Sequence, residues 1–466
     1  MERSVIDQIR TTMRTPSAVG IVRAVALLAA QGDIAPGDRL PTIRGLAKGL
    51  GVSSSTVGEA WRTLAAQGIL DTQGRRGTFL RGVTGHEPVR HFRHVFGADV
   101  RIDLSTGYPD PELLPDLRPF LRTLIEGPRY EGYPELTMEP ELANLLRSLW
   151  PFTPQALTLG TDALITIGEL LPVLTHYGDR VVIGTSEFAP YLDLFERFGL
   201  ECIAVPQDEH GLDVNAVAEA VRAGATLTLV QPRVHNPTGL VMSPDRLERI
   251  AKVCRDNDSR ILEIDHFGQL GSSPSMSAAH TAPLQTVHIR TFSKDLHPDL
   301  RVCAFAGPPD VVERVQQRRI GGSWISCVNQ RLLAAMLASP DVPPMVLASK
   351  TIYDTRRNTF IDALNAHSVA VESRDGFNVW VPVKSEQAAL IYLASRGISA
   401  APGSPFQSGR DGSPHIRVSI AQMSDGHEKI ADAIANAART RRLGAHKPNL
   451  YGADEGDGGS QWGSAS

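Results

Sequence analysis

The sequence predicts an α/β chain in two parts: a small winged helix-turn-helix module, then a much larger body on a parallel-rich sheet with helices on both faces. A smaller C-terminal α+β subdomain closes it. Three observations carry this. The chain has 466 residues, too many for one ordinary core. It opens on a basic stretch: residues 1–81 hold eleven Arg or Lys against six Asp or Glu, although the whole chain nets −4. From about residue 101, near-continuous apolar runs alternate with helical patterns, as strands buried on both faces require.

Taken in order, "TPSAVGIVRAVALLAAQG" from Thr15 supplies a capping residue, a proline suited to the first helical position and apolar residues at helical spacing up to Gly32. A second short helix fits 41–49. After the turn "LGV" a third is expected over 54–67, where Val57, Ala60, Trp61, Leu64 and Ala65 fall at i, i+3, i+4, i+7 and i+8. One face is thus buried and the other free. "GILDTQGRRGTFLRG" reads as two short strands around a Gly- and Arg-rich turn, completing a module over 1–81. Residues 82–100 show no sustained period and read as a linker. In the body, 101–443, strands are expected at 180–183, 226–231, 260–265, 286–292 and 301–306. Helices are expected at 161–175, 188–198, 213–222 and 244–256, and the smaller subdomain at about 340–440. Residues 444–466, ending in "YGADEGDGGSQWGSAS", have the Gly-, Ser- and Asp-rich composition of a disordered tail.

Composition removes some function classes. The four cysteines, Cys202, Cys254, Cys303 and Cys327, lie far apart with no CxxC pair, so neither a disulfide framework nor a metal site is indicated. "MERSVIDQIR" has no apolar signal core, and no apolar run approaches the roughly 20 residues that span a bilayer. A cytoplasmic protein without a membrane partner is the expectation.

The ordered string "GDRLPTIRGLAKGLGVSSSTVGEAWRTLAAQGIL…GRRGTF" resembles the GntR-type winged helix family over about 65 residues, which implies a double-stranded DNA operator as partner. Ser53, Ser54, Ser55 and Thr56 stand at a helix N-terminus, where small hydroxyl side chains let free backbone amides approach phosphates while the exposed face enters the major groove. The resemblance assigns Arg44 to the backbone or a base edge, and Arg75, Arg76 and Gly77 to the wing in the adjacent minor groove. Ser54 departs from the arginine common in the family, which removes a bidentate contact to guanine.

Several segments of 101–443 resemble the fold-type I pyridoxal phosphate enzymes of the aspartate aminotransferase superfamily. With the leading winged helix, about nine tenths of the chain resembles a MocR-type regulator. Such a site needs an amine to form an imine, a carboxylate to keep the ring nitrogen protonated and donors for a dianionic phosphate. The resemblance assigns the amine to Lys294 in "TFSKDL", the carboxylate to Asp265 in "ILEIDHF" and a hydrogen bond to the phenolic oxygen to Asn236 in "HNPTG". Gly160, Thr161, Asp162 and Ala163 in "LGTDALITIGELL" would present a helix N-terminus to the phosphate. Thr291, Ser293 and Arg301 would complete the cup, with Tyr133 from a dimer partner. Phe188 would stack on the ring, and Arg417 in "PHIRVSI" would hold an effector carboxylate. Three departures stand out: Phe267 where a tyrosine is common, Asp162 beside the phosphate and Met138 in place of a glycine.

The resemblance implies a head-to-tail homodimeric transcriptional regulator that holds pyridoxal phosphate as an imine on Lys294 and senses it, or an amino acid or amine. The alternative is an active aminotransferase with an autoregulatory DNA-binding module. Effector, operator and sign of regulation have no signature in the sequence.

Overall fold

The computed structural model describes residues 2–13, 15–31, 33–35, 37–66, 69–72, 77–80, 90, 100–126, 138–319, 324–408 and 412–440. Wing residues Arg75 and Arg76, the partner tyrosine Tyr133, nearly all of the linker and the 444–466 tail lie outside these.

Four helices open the chain: α1 (Glu2–Thr12), α2 (Ala18–Gln31), α3 (Ile43–Leu50) and α4 (Ser54–Ala66). Thr42 caps α3 by accepting from the Gly45 amide, and Gly51 ends it in the left-handed conformation, where a side chain would be strained. Val57, Ala60, Trp61 and Leu64 of α4 are buried, as their spacing predicts, against Ile9, Ile21, Val25 and Leu46. The wing strands β1 (Leu70–Thr72) and β2 (Thr78–Leu80) pair antiparallel. Helix α1 escaped the sequence reading because its apolar positions are few and strongly charged residues separate them.

The body begins with β3 (Ile102–Leu104), α5 (Arg118–Glu126) and α6 (Pro140–Leu149). Next come β4 (Ala156–Gly160), α7 (Ala163–Leu174), β5 (Arg180–Gly184), α8 (Ala189–Arg197) and β6 (Glu201–Val205). A small hairpin of β7 (Gln207–Asp208) and β8 (Gly211–Leu212) precedes α9 (Val214–Arg222), β9 (Ala225–Val230), α10 (Pro244–Asp256), β10 (Arg260–Asp265), β11 (Thr286–Thr291) and β12 (Cys303–Gly307). Seven of these strands form one sheet in the order β4-β12-β11-β10-β9-β5-β6. The pairs from β11 to β6 are parallel, whereas β12 runs antiparallel to both β11 and β4. The sheet is parallel-rich, as predicted, with β12 as its one antiparallel strand. Strand β12 begins at Cys303 because Arg301, at φ +45, is in a left-handed turn. Strands β4 and β6 were not predicted, although β6 carries the short apolar run Cys202 to Val205, half-buried for most of its length.

Helices α11 (Pro309–Arg318), α12 (Cys327–Ala338) and the 25-residue α13 (Val342–Ala366) lead to the smaller subdomain. There β13 (Asn378–Pro382), α14 (Glu386–Ala394), β14 (Ile398–Pro402), β15 (His415–Ser419) and α15 (His427–Arg439) follow. Its sheet has the order β13-β15-β14-β3, so the first strand of the body completes the last sheet. Among the described residues no single helix is long and apolar enough to cross a membrane.

Candidate functional site: a lysine cavity and an exposed recognition helix

At the start of α4, Ser53 Oγ accepts from the Thr56 amide at 3.1 Å and lies 2.6 and 2.8 Å from the hydroxyls of Ser55 and Thr56. Ser53, Ser54 and Ser55 are exposed, as is Arg44 on α3. Gly77 sits at φ +115, and a Cβ there would meet the Arg39 guanidinium at 2.7 Å. The wing thus turns at a residue with no side chain, closely backed by an arginine.

In the body, one cavity of about 370 Å³ collects most of the predicted site. Its walls include Thr161, Asp162, Ala163, Phe188, Asn236, Thr291, Ser293, Lys294, Arg301 and Arg417. These come from six separate segments, brought together because α7, α8 and the loops after β9, β10 and β11 all start at one edge of the sheet. Lys294 Nζ donates to the Gly107 carbonyl at 3.1 Å and stands 5.5 and 5.3 Å from the ring centres of Phe267 and Phe377. Phe188 meets Tyr191 edge-on with centroids 5.2 Å apart. Arg417, 1% exposed, donates to Ser105 O at 2.6 Å and to Asn236 Oδ1 at 3.2 Å. A guanidinium held in this way presents a fixed fork to a carboxylate.

At the phosphate end, the first turn of α7 lines the cavity with Thr161, Asp162 and Ala163. Gly160 does not line it. A Cβ on Gly160 would fall 2.0 Å from Thr166 Oγ1 and 3.0 Å from Cys303 Sγ, so glycine is what lets β4 turn directly into α7. Both oxygens of Asp162 are engaged: Oδ1 accepts from the Ile165 amide at 2.9 Å and Oδ2 pairs with Arg301. The cation expected on a phosphate thus already has a carboxylate partner.

Asp265 is not among the residues that line the cavity. Side chains alternate along a strand, and in β10 Leu262 and Ile264 pack with α7 and α8 while Ile261 packs with α9 and α10. Asp265 shares the latter parity. Its Oδ1 accepts from the amides of Phe267 and Gly268, and Oδ2 lies 3.0 Å from Arg233 and 3.9 Å from Arg290. Burial pushes this carboxyl up, but the two guanidinium groups and His288 override it and bring it down to about 2. In this structure the carboxylate is thus ion-paired.

The next residue, His266, lines the cavity and was missed, although alternation along "ILEIDHF" points position 266 opposite to 265. Its Nε2 hydrogen-bonds Tyr191 OH, and the two rings stack with centroids 6.1 Å apart at 9°. Burial, together with the charge of Lys294, pushes the imidazole down to about 3 against the pull of Asp265, so it is neutral. Burial and the nearby Glu187 raise the Tyr191 phenol well above its ordinary value. Gly107, Tyr108 and His297 also line the cavity and carry no motif that would have announced them.

With this geometry in place, likeness to known proteins becomes informative. Residues 100–434 match the family described as aminotransferase class I and II, and residues 20–80 match the bacterial regulatory proteins of the gntR family. The vitamin B6 salvage pathway transcriptional repressor PtsJ of Salmonella typhimurium is 29% identical over 421 residues, 88% of this chain and 95% of that protein. The pyridoxine biosynthesis transcriptional regulator PdxR of Corynebacterium glutamicum is 26% identical over 397 residues, covering 81% and 86%. The kynurenine aminotransferase of Pyrococcus horikoshii superposes with a TM-score of 0.66 at 19% identity, over 74% of this chain and 92% of that one. The last likeness speaks for the fold alone.

Proposed function

The chain belongs to the aminotransferase class I and II family, in the MocR-type arrangement with a gntR-family module ahead of it, and from that premise we propose that it is a DNA-binding transcriptional regulator whose body binds pyridoxal 5'-phosphate at Lys294. The observation that carries this is the placement of the Lys294 amine in one cavity with Asn236, Arg417 and the first turn of α7, behind a module that exposes Ser53 to Ser55 and Arg44.

The residues present fit the cofactor. Lys294 would bind its aldehyde carbon, Phe188 would flank the ring, and Asn236 would donate to the phenolic oxygen. The α7 amides with Thr291 and Ser293 would hold the phosphate, and Arg301 would reach it by sharing Asp162. When bound, the group supplies an electrophilic carbon to which amines add and an aromatic ring that withdraws electrons. Arg417 is placed for the carboxylate of an amino acid effector, which would compete with Asn236 Oδ1 for the same guanidinium. Arg44 and the hydroxyls of Ser53 to Thr56 would contact operator phosphates and bases. Residues 1–81 would form the DNA module and 101–443 the ligand module. We further propose a cytoplasmic head-to-tail homodimer, with Tyr133 completing the partner's phosphate cup.

Borohydride reduction of the full-length protein saturated with pyridoxal phosphate, followed by peptide mass mapping, should place the added mass on Lys294. Lys294→Ala should remove both that mass and the near-visible absorbance. A protein without trapped mass at Lys294 would end this reading. A second reading, an active aminotransferase, is favoured by Lys294 and Arg417 sharing a cavity; multiple turnovers with a panel of amino donors and keto acids would select it.

A further inference from the structure

Glu187 and Gln231 do not line the cavity, yet they meet directly behind two residues that do. They follow β5 and β9, which are neighbours in the sheet and end at the cavity's edge. Both are buried, at 2% and 4% exposure. Gln231 Nε2 donates to Glu187 Oε1, the same oxygen that accepts from the Phe188 amide at 2.9 Å. The Gln231 side chain also clamps Asn236: its Oε1 accepts from the Asn236 N–H at 3.3 Å, and its Nε2 reaches the Asn236 carbonyl at 3.4 Å. One carboxylate oxygen thus joins Phe188 to the backbone of Asn236.

We infer that Glu187 is a positioning residue for the cofactor, setting the Asn236 donor through Gln231 and the Phe188 ring through its backbone amide. The inference rests on the reading of Lys294 and Asn236 given above. A side-chain amide can present either its oxygen or its nitrogen to a neighbour, but Glu187 Oε1 is an acceptor, so the Gln231 nitrogen faces it. The Gln231 oxygen is then left for the Asn236 N–H. Turned over, the amide would set donor against donor and acceptor against acceptor. The side chain of Asn236 is fixed from the opposite direction, since Arg417 donates to Oδ1 at 3.2 Å, which leaves Nδ2 to donate.

The space around Glu187 argues against a ligand of its own. The pocket it lines with Gln207, Gln231 and His235 measures about 10 Å³, room for a single water at most. Glu187 Oε2 lies 3.6 Å from His235 Nε2, and that ring is tied through Nδ1 to the Thr238 hydroxyl at 2.8 Å. His235 precedes Asn236 in the same turn, so this contact bears on the asparagine too. A carboxylate buried this deeply is costly unless donors surround it. The groups that hold Glu187 belong to Phe188, Gln231 and His235, all of which touch or adjoin the cofactor's contacts.

The test reads the pH midpoint at which the near-visible band changes in the full-length protein saturated with pyridoxal phosphate. A donor on the phenolic oxygen stabilises charge there and weakens that oxygen's hold on the proton of the Lys294 nitrogen, so losing the donor raises the midpoint. Asn236→Ala should raise it by about one unit, the worth of one hydrogen bond to a charged group. Gln231→Leu should raise it as well, and so should Gln231→Asn, which is too short to reach Glu187 and Asn236 together. Gln231→Leu added to Asn236→Ala should move it no further, whereas independent effects would sum. Glu187→Gln keeps an acceptor for Gln231 and should stay near wild type, while Glu187→Leu should follow Gln231→Leu. Circular dichroism would verify that each variant is folded. A wild-type midpoint in whichever Gln231 variant folds, or additivity in the double variant, overturns the inference. An unmoved midpoint in Asn236→Ala overturns it together with the assignment of Asn236. Absence of borohydride-trapped mass at Lys294 overturns the functional reading itself, a separate outcome from a trapped cofactor whose midpoint ignores Gln231.

Discussion

Replacing Asp162 by asparagine separates two tasks that one carboxylate performs. Oδ1 caps α7 through the Ile165 amide, and Oδ2 pairs with Arg301. Asparagine caps a helix about as well as aspartate, so the fold should lose under about 1 kcal/mol, the scale of one half-exposed ion pair. The effect on binding has the opposite sign. Asp162 and Arg301 are 23% and 57% exposed, and a pair so screened is worth about 1 kcal/mol. That interaction holds the guanidinium away from a phosphate; once released, it should strengthen phosphate binding by a similar amount, about fivefold in Kd. The assay is a fluorescence titration of the Asp162→Asn protein with pyridoxal phosphate and, in parallel, with pyridoxal. Only the phosphorylated compound should bind more tightly. If the variant binds it more weakly, or if both compounds change equally, then Asp162 orients Arg301 productively and the competition described here is wrong.

Three further outcomes follow from named contacts. The folded Asp265 carboxyl lies near 2 against an ordinary 3.8, so it contributes about 2 kcal/mol that is present above pH 4 and lost as pH falls toward 2. Urea unfolding should show Asp265→Asn less stable than wild type at pH 6, with the gap closing toward pH 3; a gap independent of pH would refute the pairing. Arg44→Ala should weaken DNA binding at every salt concentration and lower the slope of log K against log salt by about 1, and an unchanged slope would remove Arg44 from the phosphate contacts. Arg23 donates to Gly178 O at 2.9 Å and lies 3.8 Å from Asp179. Arg23→Ala should therefore shrink the change in operator affinity that pyridoxal phosphate produces while leaving cofactor affinity within about twofold, about 0.4 kcal/mol; full coupling in the variant would refute a role for that contact.

Much of this was legible in the residues, for reasons that also mark where legibility stops. Helix α4 could be read because Val57, Ala60, Trp61 and Leu64 repeat at helical spacing and all four are buried. Strands β9, β10 and β11 could be read from their aliphatic and β-branched residues between helical patterns, and they are buried at nearly every position although β10 carries Glu263 and Asp265 and β11 carries His288 and Arg290. Lys294, Asn236 and Arg417 do share a cavity, as the motifs implied. Edge strand β6 was not singled out, although Cys202 to Val205 form a short apolar run. The neighbours Asp265 and His266 are more instructive: a motif names a residue type near a position, whereas a pleated strand assigns alternate residues to opposite faces, and His266 is the one that lines the cavity here. The aspartate's partners in this structure, Arg233 and Arg290, are 32 and 25 positions away and carry no local signal.

Helix α7 connects the two ends of the proposed regulator. Its first turn lines the cavity through Thr161 to Ala163, and the loop after its last turn carries Tyr177, packed against the winged-helix core, and Gly178, which accepts from Arg23. Twelve residues at 1.5 Å each make a rod of about 18 Å between them. The helix itself is anchored in a buried framework, since Ile167, Leu170 and Leu171 are fully enclosed. The polar part of the winged-helix contact is an arginine that is half exposed, worth about 1 kcal/mol at most, beside the packing of Tyr177. Allosteric couplings typically span about 1–3 kcal/mol, so a ligand that binds two winged-helix arrangements with affinities differing by tenfold supplies enough to make or break that contact. A winged helix docked through a core as large as that around α7 would need far more. The weakness of the Arg23 contact is thus what makes control by a small ligand energetically consistent with this structure.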